Sequence, residues 1–261
     1  MNIIKTHVRT LACLLLLLAW TSRAADTLVA TGSVWKYLDT GGDQGTVWRG
    51  TNFNDSTWSN GVAQLGFGDN DEVTRIRRTN NTTAGNSITT FYFRRAFNVT
   101  NAAAFSTLSM WMLRDDGSVV YVNSNEVFRS SSMPPAPAVI TYTTFANNEG
   151  SAPNDNTIDT STLSAAPLVS GTNILAVELH QFDLGSSDAS FDFALVGNPA
   201  PPAPRMNITR FGTQIAVNWS GSGYWLEEAS HVIGPWTPVP DTAPATMNIS
   251  AAQQFFRLRK P

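Results

Sequence analysis

Between Met110 and Phe128 the chain reads MWMLRDDGSVVYVNSNEVF, apolar runs broken at Asp115-Asp116-Gly117 and again at Asn123-Ser124-Asn125. Side chains on a strand point alternately to opposite faces, and glycine accepts the positive φ that tight turns need. The stretch therefore predicts two strands joined by an acidic hairpin turn, with Leu108, Met110 and Met112 inward on the first strand. Val119, Tyr121 and Asn123 are expected inward on the second. The same period recurs elsewhere. Thr89 to Val99 places Phe91, Phe93, Phe97 and Val99 on one face, where Arg95 also falls and calls for a bulge or a partner. Asn173 to Gln181 turns Leu175, Val177 and Leu179 inward and Glu178 and His180 outward. Ala189 to Val196 turns Phe191, Phe193 and Leu195 inward, with Asp192 opposite. Leu28 to Leu38 reads as a first strand. No stretch has the period of an amphipathic helix. Short alternating runs between Gly, Asn and Pro turns predict an all-β sandwich.

The ends of the chain follow other rules. Lys5 and Arg9 precede an apolar run from Leu11 to Trp20, too short to span a bilayer, and Ser22-Arg23-Ala24 offers small residues for cleavage. Residues 1–24 are read as a secretory signal peptide, and the protein as secreted: periplasmic, extracellular or at the cell surface, with no membrane span after cleavage. The one cysteine, Cys13, lies inside this segment, so the remaining chain has no disulfide or thiol chemistry. Loss of Lys5, Arg9 and Arg23 leaves that chain more acidic than the net charge of -3 of the whole, which excludes nucleic acid as a partner. Ser130 to Asp159 is long, polar and Pro-rich, and is expected to cross one end of the sandwich. The expected domains are a sandwich over residues 25–198, a stiff Pro-rich linker over 199–205, and a small β-module over 206–261.

Several pieces, in order, resemble galactose-binding-like jelly-roll modules of large secreted proteins of bacteria such as planctomycetes and verrucomicrobia. They are Trp35-Lys36-Tyr37-Leu38-Asp39, Phe53-Asn54-Asp55-Ser56-Thr57-Trp58, Leu65-Gly66-Phe67-Gly68, Arg114-Asp115-Asp116-Gly117, Val120-Tyr121-Val122-Asn123 and Glu126-Val127-Phe128-Arg129, and they continue through Asn173 to Gln181. Ser124 stands where that family usually has glycine. Gly234-Pro235-Trp236 and Phe255-Phe256-Arg257-Leu258 resemble a small terminal β-module of the same bacteria. The resemblance implies a jelly-roll β-sandwich and an accessory role in carbohydrate binding or adhesion.

The candidate sites gather at turns. Asp115 and Asp116 suit calcium or sugar hydroxyls, and equally suit a turn that bonds its own backbone. If the strand ending in His180 and Gln181 pairs antiparallel with Ser118 to Asn123, His180 lands beside that turn. Asp183 and Asp188 then lie near it and complete a possible metal set, and Asn123 becomes a further sugar ligand. A buried polar network is the plainer alternative. Trp111, opposite Met110 and Met112, and Trp48 are candidate platforms for stacking a pyranose. There is no Gly-x-Ser-x-Gly elbow. Asp115 with Glu178 or Asp192 would be the carboxylate pair for a jelly-roll lyase or hydrolase. The expected function is non-catalytic binding of a glycan or cell-surface polymer, with calcium as the one candidate cofactor. Adhesion to a protein partner is the alternative.

Overall fold

The computed structural model describes residues 24–80, 87–147, 156–200, 202–239, 242–249 and 253–260. The signal segment expected over residues 1–24 lies outside the described residues, Ala24 apart. The chain is all-β, with two short 3-10 turns at Val47–Arg49 and Ala102–Ala104. The first twelve strands are β1 (Asp26–Val29), β2 (Val34–Leu38), β3 (Ser59–Val62), β4 (Leu65–Phe67), β5 (Thr74–Arg75), β6 (Thr90–Val99), β7 (Phe105–Asp115), β8 (Gly117–Val122), β9 (Asn125–Arg129), β10 (Thr157–Ser164), β11 (Gly171–His180) and β12 (Ala189–Pro199). They make two six-stranded sheets. The first runs β10-β7-β12-β4-β5 with β1 also on β12, and the second runs β3-β2-β6-β11-β8-β9.

Period-2 alternation decides what lies between the sheets. Leu108, Met110 and Met112 of β7 and Phe191, Phe193 and Leu195 of β12 meet Phe91, Phe93, Leu175, Val177 and Leu179 of the second sheet in one core. Phe93 stacks on Phe191 with ring centroids 4.0 Å apart, and Trp35 meets Phe191 edge-on at 5.0 Å. Each such aromatic contributes roughly 2–3 kcal/mol by burial. The inward residues expected on β6, β7, β11 and β12 are all found there.

Three expectations change. The Asp115-Asp116-Gly117 turn closes no hairpin: Asp115 registers with Ser190 of β12 in the first sheet, and Gly117 with His180 of β11 in the second. β7 is already flanked by β10 and β12, so it has no free edge for β8, and the acidic turn carries the chain across the sandwich. Val120 and Val122, not Val119 and Tyr121, therefore face the main core. The stretch from Leu28 to Leu38 also crosses, splitting into β1 and β2 in different sheets, with Gly32 at φ 68 in the bend. The true hairpin is β8–β9, closed by Asn123 and Ser124 at φ 49 and 71, the two positive values of a type I′ turn.

The second sheet is covered on its outer face as well. Trp48 and Trp58 from one loop and Met133, Ile140 and Ala146 from another pack on Tyr92, Val119, Tyr121, Ile174 and Ala176. Residues 130–147 thus lie on a sheet face rather than across an end. Ser130 N–H donates to the Ser118 carbonyl at 3.0 Å and Ala146 N–H to that of Gln181 at 3.0 Å. The register of β6 against β11 runs unbroken past Arg95, whose guanidinium donates to the Val34 carbonyl. The ion pair belongs to its neighbour Arg94, on the covered face, whose Nε lies 2.8 Å from Asp55.

Beyond the proline run lie β13 (Met206–Phe211), β14 (Gln214–Trp219), β15 (Trp225–Ala229), β16 (Thr237–Pro238), β17 (Ala245–Asn248) and β18 (Phe255–Arg259). They form two three-stranded sheets, β13-β14-β17 and β16-β15-β18, with Ile215, Val217, Leu226 and Ala245 as a separate small core.

Candidate functional site

The antiparallel pairing of β11 with β8 does bring His180 beside the acidic turn, but the constellation is sealed. Asp115, Asp116, His180 and Gln181 are all buried. Asp116 accepts from Phe182 N–H at 2.7 Å and from the Ser186 hydroxyl at 3.4 Å. Burial pushes the Asp116 carboxyl above the ordinary carboxylate range, and the neighbouring charge of Asp188 adds to this. Arg114, also buried, is held by Asp159 at 2.6 Å and donates to the Asp116 carbonyl. Asp183 bends its own loop, accepting from Gly185 N–H at 2.6 Å. Among the described residues no three His, Cys, Asp or Glu side chains gather to hold a metal ion, so the set Asp115, Asp116, Asp183 and Asp188 does not assemble as one site.

His180 and Glu178 belong to the covered outer face of the second sheet. The His180 Nδ1 donates to the Thr144 carbonyl at 2.7 Å, which leaves Nε2 facing Glu178 Oε2 at 3.7 Å, beyond hydrogen-bond reach. Glu178 Oε1 accepts from Tyr121 at 2.6 Å and from Arg49 at 3.1 Å. Burial, with the Glu178 charge beside it, pushes the Tyr121 hydroxyl well up. Gln181 Nε2 donates to the Asp188 carbonyl at 3.2 Å. This is a polar network that fixes loops on a sheet, the plainer of the two alternatives.

Two more expected ligands are spent on structure. Asn123 donates to Pro167 and Asn173 at 2.9 and 2.8 Å and accepts from Ile174 N–H at 2.8 Å, so its amide stitches the hairpin to β11. Trp48 is fully buried, with Tyr92, Tyr121 and Trp58 against its ring at centroid distances of 4.8, 6.1 and 6.3 Å. It carries the covering layer and offers no platform. The carboxylates considered for glycoside cleavage are likewise committed. Asp192 accepts from Gly32 N–H at 3.1 Å and Phe193 N–H at 2.7 Å, tying the β1–β2 bend to β12.

Trp111 has a different setting. It stands half-buried on the outer face of the first sheet, level with Thr160 of β10 and Ala194 of β12. Ser109, Leu113, Thr162 and Val196 share that face by register, as does Ile158, 56% exposed. At one margin Asn198 donates to Thr107 and Ser109 at 3.1 and 2.9 Å.

The structure also shows a hollow that sequence reasoning missed. It measures about 360 Å³ and lies outside the second sheet, between Arg49, Tyr121, Glu126 and Arg129 on one side and residues 136–140 on the other. Glu126-Val127-Phe128-Arg129 was legible only as part of β9. Nothing in one segment announces a hollow assembled from three.

The fold and its surfaces define a class: a two-sheet β-sandwich, one sheet covered by loops and the other, among the described residues, without such a cover, followed by a small β-module. No family model matches the sequence, and no curated protein matches it. Among solved structures, the chain is similar to a Bacteroides uniformis β-glucuronidase 2 covalently bound to cyclophellitol-6-carboxylate aziridine, at 12% identity and TM-score 0.44, over 91% of this chain and 28% of that one. It is also similar to a β-glucuronidase of an uncultured Clostridium species, at 11% identity and TM-score 0.43, over 92% and 40% of the two chains. A third is a Bifidobacterium dentium β-glucuronidase complexed with coumarin-3-O-glucuronide, at 11% identity and TM-score 0.41, over 92% and 42%. The chain thus spans between 28% and 42% of the length of these enzymes. The likeness is one of chain trace, and no residue role is carried over from it.

Proposed function

We propose that this protein is an exported, non-catalytic carbohydrate-binding module whose glycan rests on the outer face of the first sheet. The observation that carries the reading is Trp111, half-buried on a sandwich face that carries no covering loop layer among the described residues, beside Ser109, Thr160 and Thr162. An aromatic ring packs on the C–H face of a pyranose, and flanking hydroxyls exchange hydrogen bonds with those of the sugar. A flat sheet face suits an extended polysaccharide strand better than a folded oligosaccharide. The non-catalytic part of the reading rests on the carboxylates. Glycoside cleavage needs a pair of them flanking the bond, whereas Asp115, Glu178 and Asp192 are all buried, and Glu178 and Asp192 are bonded within the protein.

Retention on insoluble polysaccharides tests this directly. Trp111→Ala is expected to lose at least about tenfold in affinity, the scale of about 1.4 kcal/mol for one stacked ring. Unchanged retention of that variant sinks the platform. The same experiment run with a chelator tests the calcium expectation: binding lost on chelation would move the site back to the acidic turn. The adhesive alternative has its own observation, in exposed Ile208, Phe211 and Ile233 on the C-terminal module. It predicts that residues 206–261 are needed for attachment while Trp111 is not.

A further inference from the structure

We propose a second ligand site on the opposite side of the sandwich: the hollow at Arg49, Glu126 and Arg129, which takes a single neutral pyranose unit. The proposal rests on the reading of this protein as glycan-binding, and uses none of the residues that carry it.

The hollow is built rather than incidental. The Arg49 guanidinium lies 4.1 Å from the Tyr121 ring centroid and is pinned beneath by Glu178 at 3.1 Å. Arg129 is held at four points: Glu126 by two bonds of 2.8 and 2.7 Å, the Pro134 carbonyl at 2.7 Å and the Ala138 carbonyl at 3.0 Å. Those last two bonds fix the apolar wall, residues 136–140, against the polar one. A site whose walls are ordered before binding loses less entropy on binding. Arg49 Nε is buried without a hydrogen-bond acceptor among the described residues.

Charge and size select the ligand. Two guanidiniums are matched by two carboxylates, Glu178 and Glu126, so no net charge remains to attract an ion. Both oxygens of Glu126 already accept from Arg129, and each keeps capacity for one further hydroxyl, the geometry of a vicinal diol. Opposite, Val139 is 82% exposed and offers a C–H surface to the other face of the ring. At about 360 Å³ the hollow sits at the lower end of ligand clefts, which run from ~300 to ~1,000 Å³, so it fits one unit rather than a chain.

The test is saturation-transfer NMR on the full chain with methyl glycosides of glucose, galactose, mannose, xylose and N-acetylglucosamine. Methyl glucuronoside and methyl glucosaminide serve as charged controls. At least one neutral glycoside is expected to bind. Val139→Glu, a change at an exposed position, and Glu126→Ala should each weaken that binding by about tenfold or more, while Trp111→Ala leaves it unchanged. Absence of any bound glycoside, preference for a charged one, or equal binding by Val139→Glu overturns the proposal. Polysaccharide retention that depends on Trp111 with no glycoside bound would remove the hollow and leave the platform. A bound glycoside without retention would do the reverse.

Discussion

At Asp115 and Asp116 the same two side chains support opposite readings until their burial is known. In an exposed turn they would be a pair of anions able to take a cation. Beneath the Phe182 backbone and beside the Arg114 side chain both are buried, and Asp116 is bonded to the protein's own N–H. Burial raises the Asp116 carboxyl above its ordinary value of 3.8, so the folded protein binds a proton there more tightly than the unfolded chain does. Stability from this group is present at low pH and is lost as pH rises through the raised folded value. Asp116→Asn keeps an acceptor for Phe182 N–H and removes the buried charge. It is expected to unfold at higher urea than the parent at pH 7, by about 1 kcal/mol, with the gap closing as pH falls below the ordinary carboxylate range. A gap that stays constant with pH, or has the opposite sign at pH 7, contradicts this assignment.

At the scale of elements, the β8–β9 hairpin depends on two residues with positive φ. Asn is among the few non-glycine residues that visit this conformation, and here its amide is held from other segments, by Pro167, Asn173 and Ile174. Ser124, at φ 71, has no such compensation in its side-chain type. Ser124→Gly should stabilise the protein by up to about 1 kcal/mol, read as a higher thermal midpoint. A lower midpoint would mean that the serine hydroxyl holds Gly50, which lies against it. The hairpin also carries Glu126 and Arg129, so rigidity here is rigidity of the proposed hollow. Gly66 shows the complementary constraint: a Cβ there would lie 2.0 Å from the Ala189 carbonyl, and its absence lets β4 reach β12.

At the scale of the molecule, the main core holds residues from Val29 to Leu195, and the C-terminal cluster begins at Ile215. Separate cores on either side of a proline-rich stretch imply separate stability. A chain ending at residue 198 is expected to keep the sandwich's thermal transition within a few degrees. Loss of that transition would mean that the C-terminal strands complete the sandwich. The inward residues of β6, β7, β11 and β12 and the all-β class could be read from the chain alone, because alternation is a local property of a strand whatever its partner. Partner choice is not local. Nothing between Met110 and Phe128 says that β7 already has two neighbours, so a turn that looks like a hairpin becomes a crossing, and the parity of β8 shifts with it. The same holds for Glu178 and His180. Their outward direction was legible, but the loops that cover that direction come from segments 36 and 129 residues away and are placed by packing. Trp111 stayed half-buried because, among the described residues, no such loop lies over its sheet.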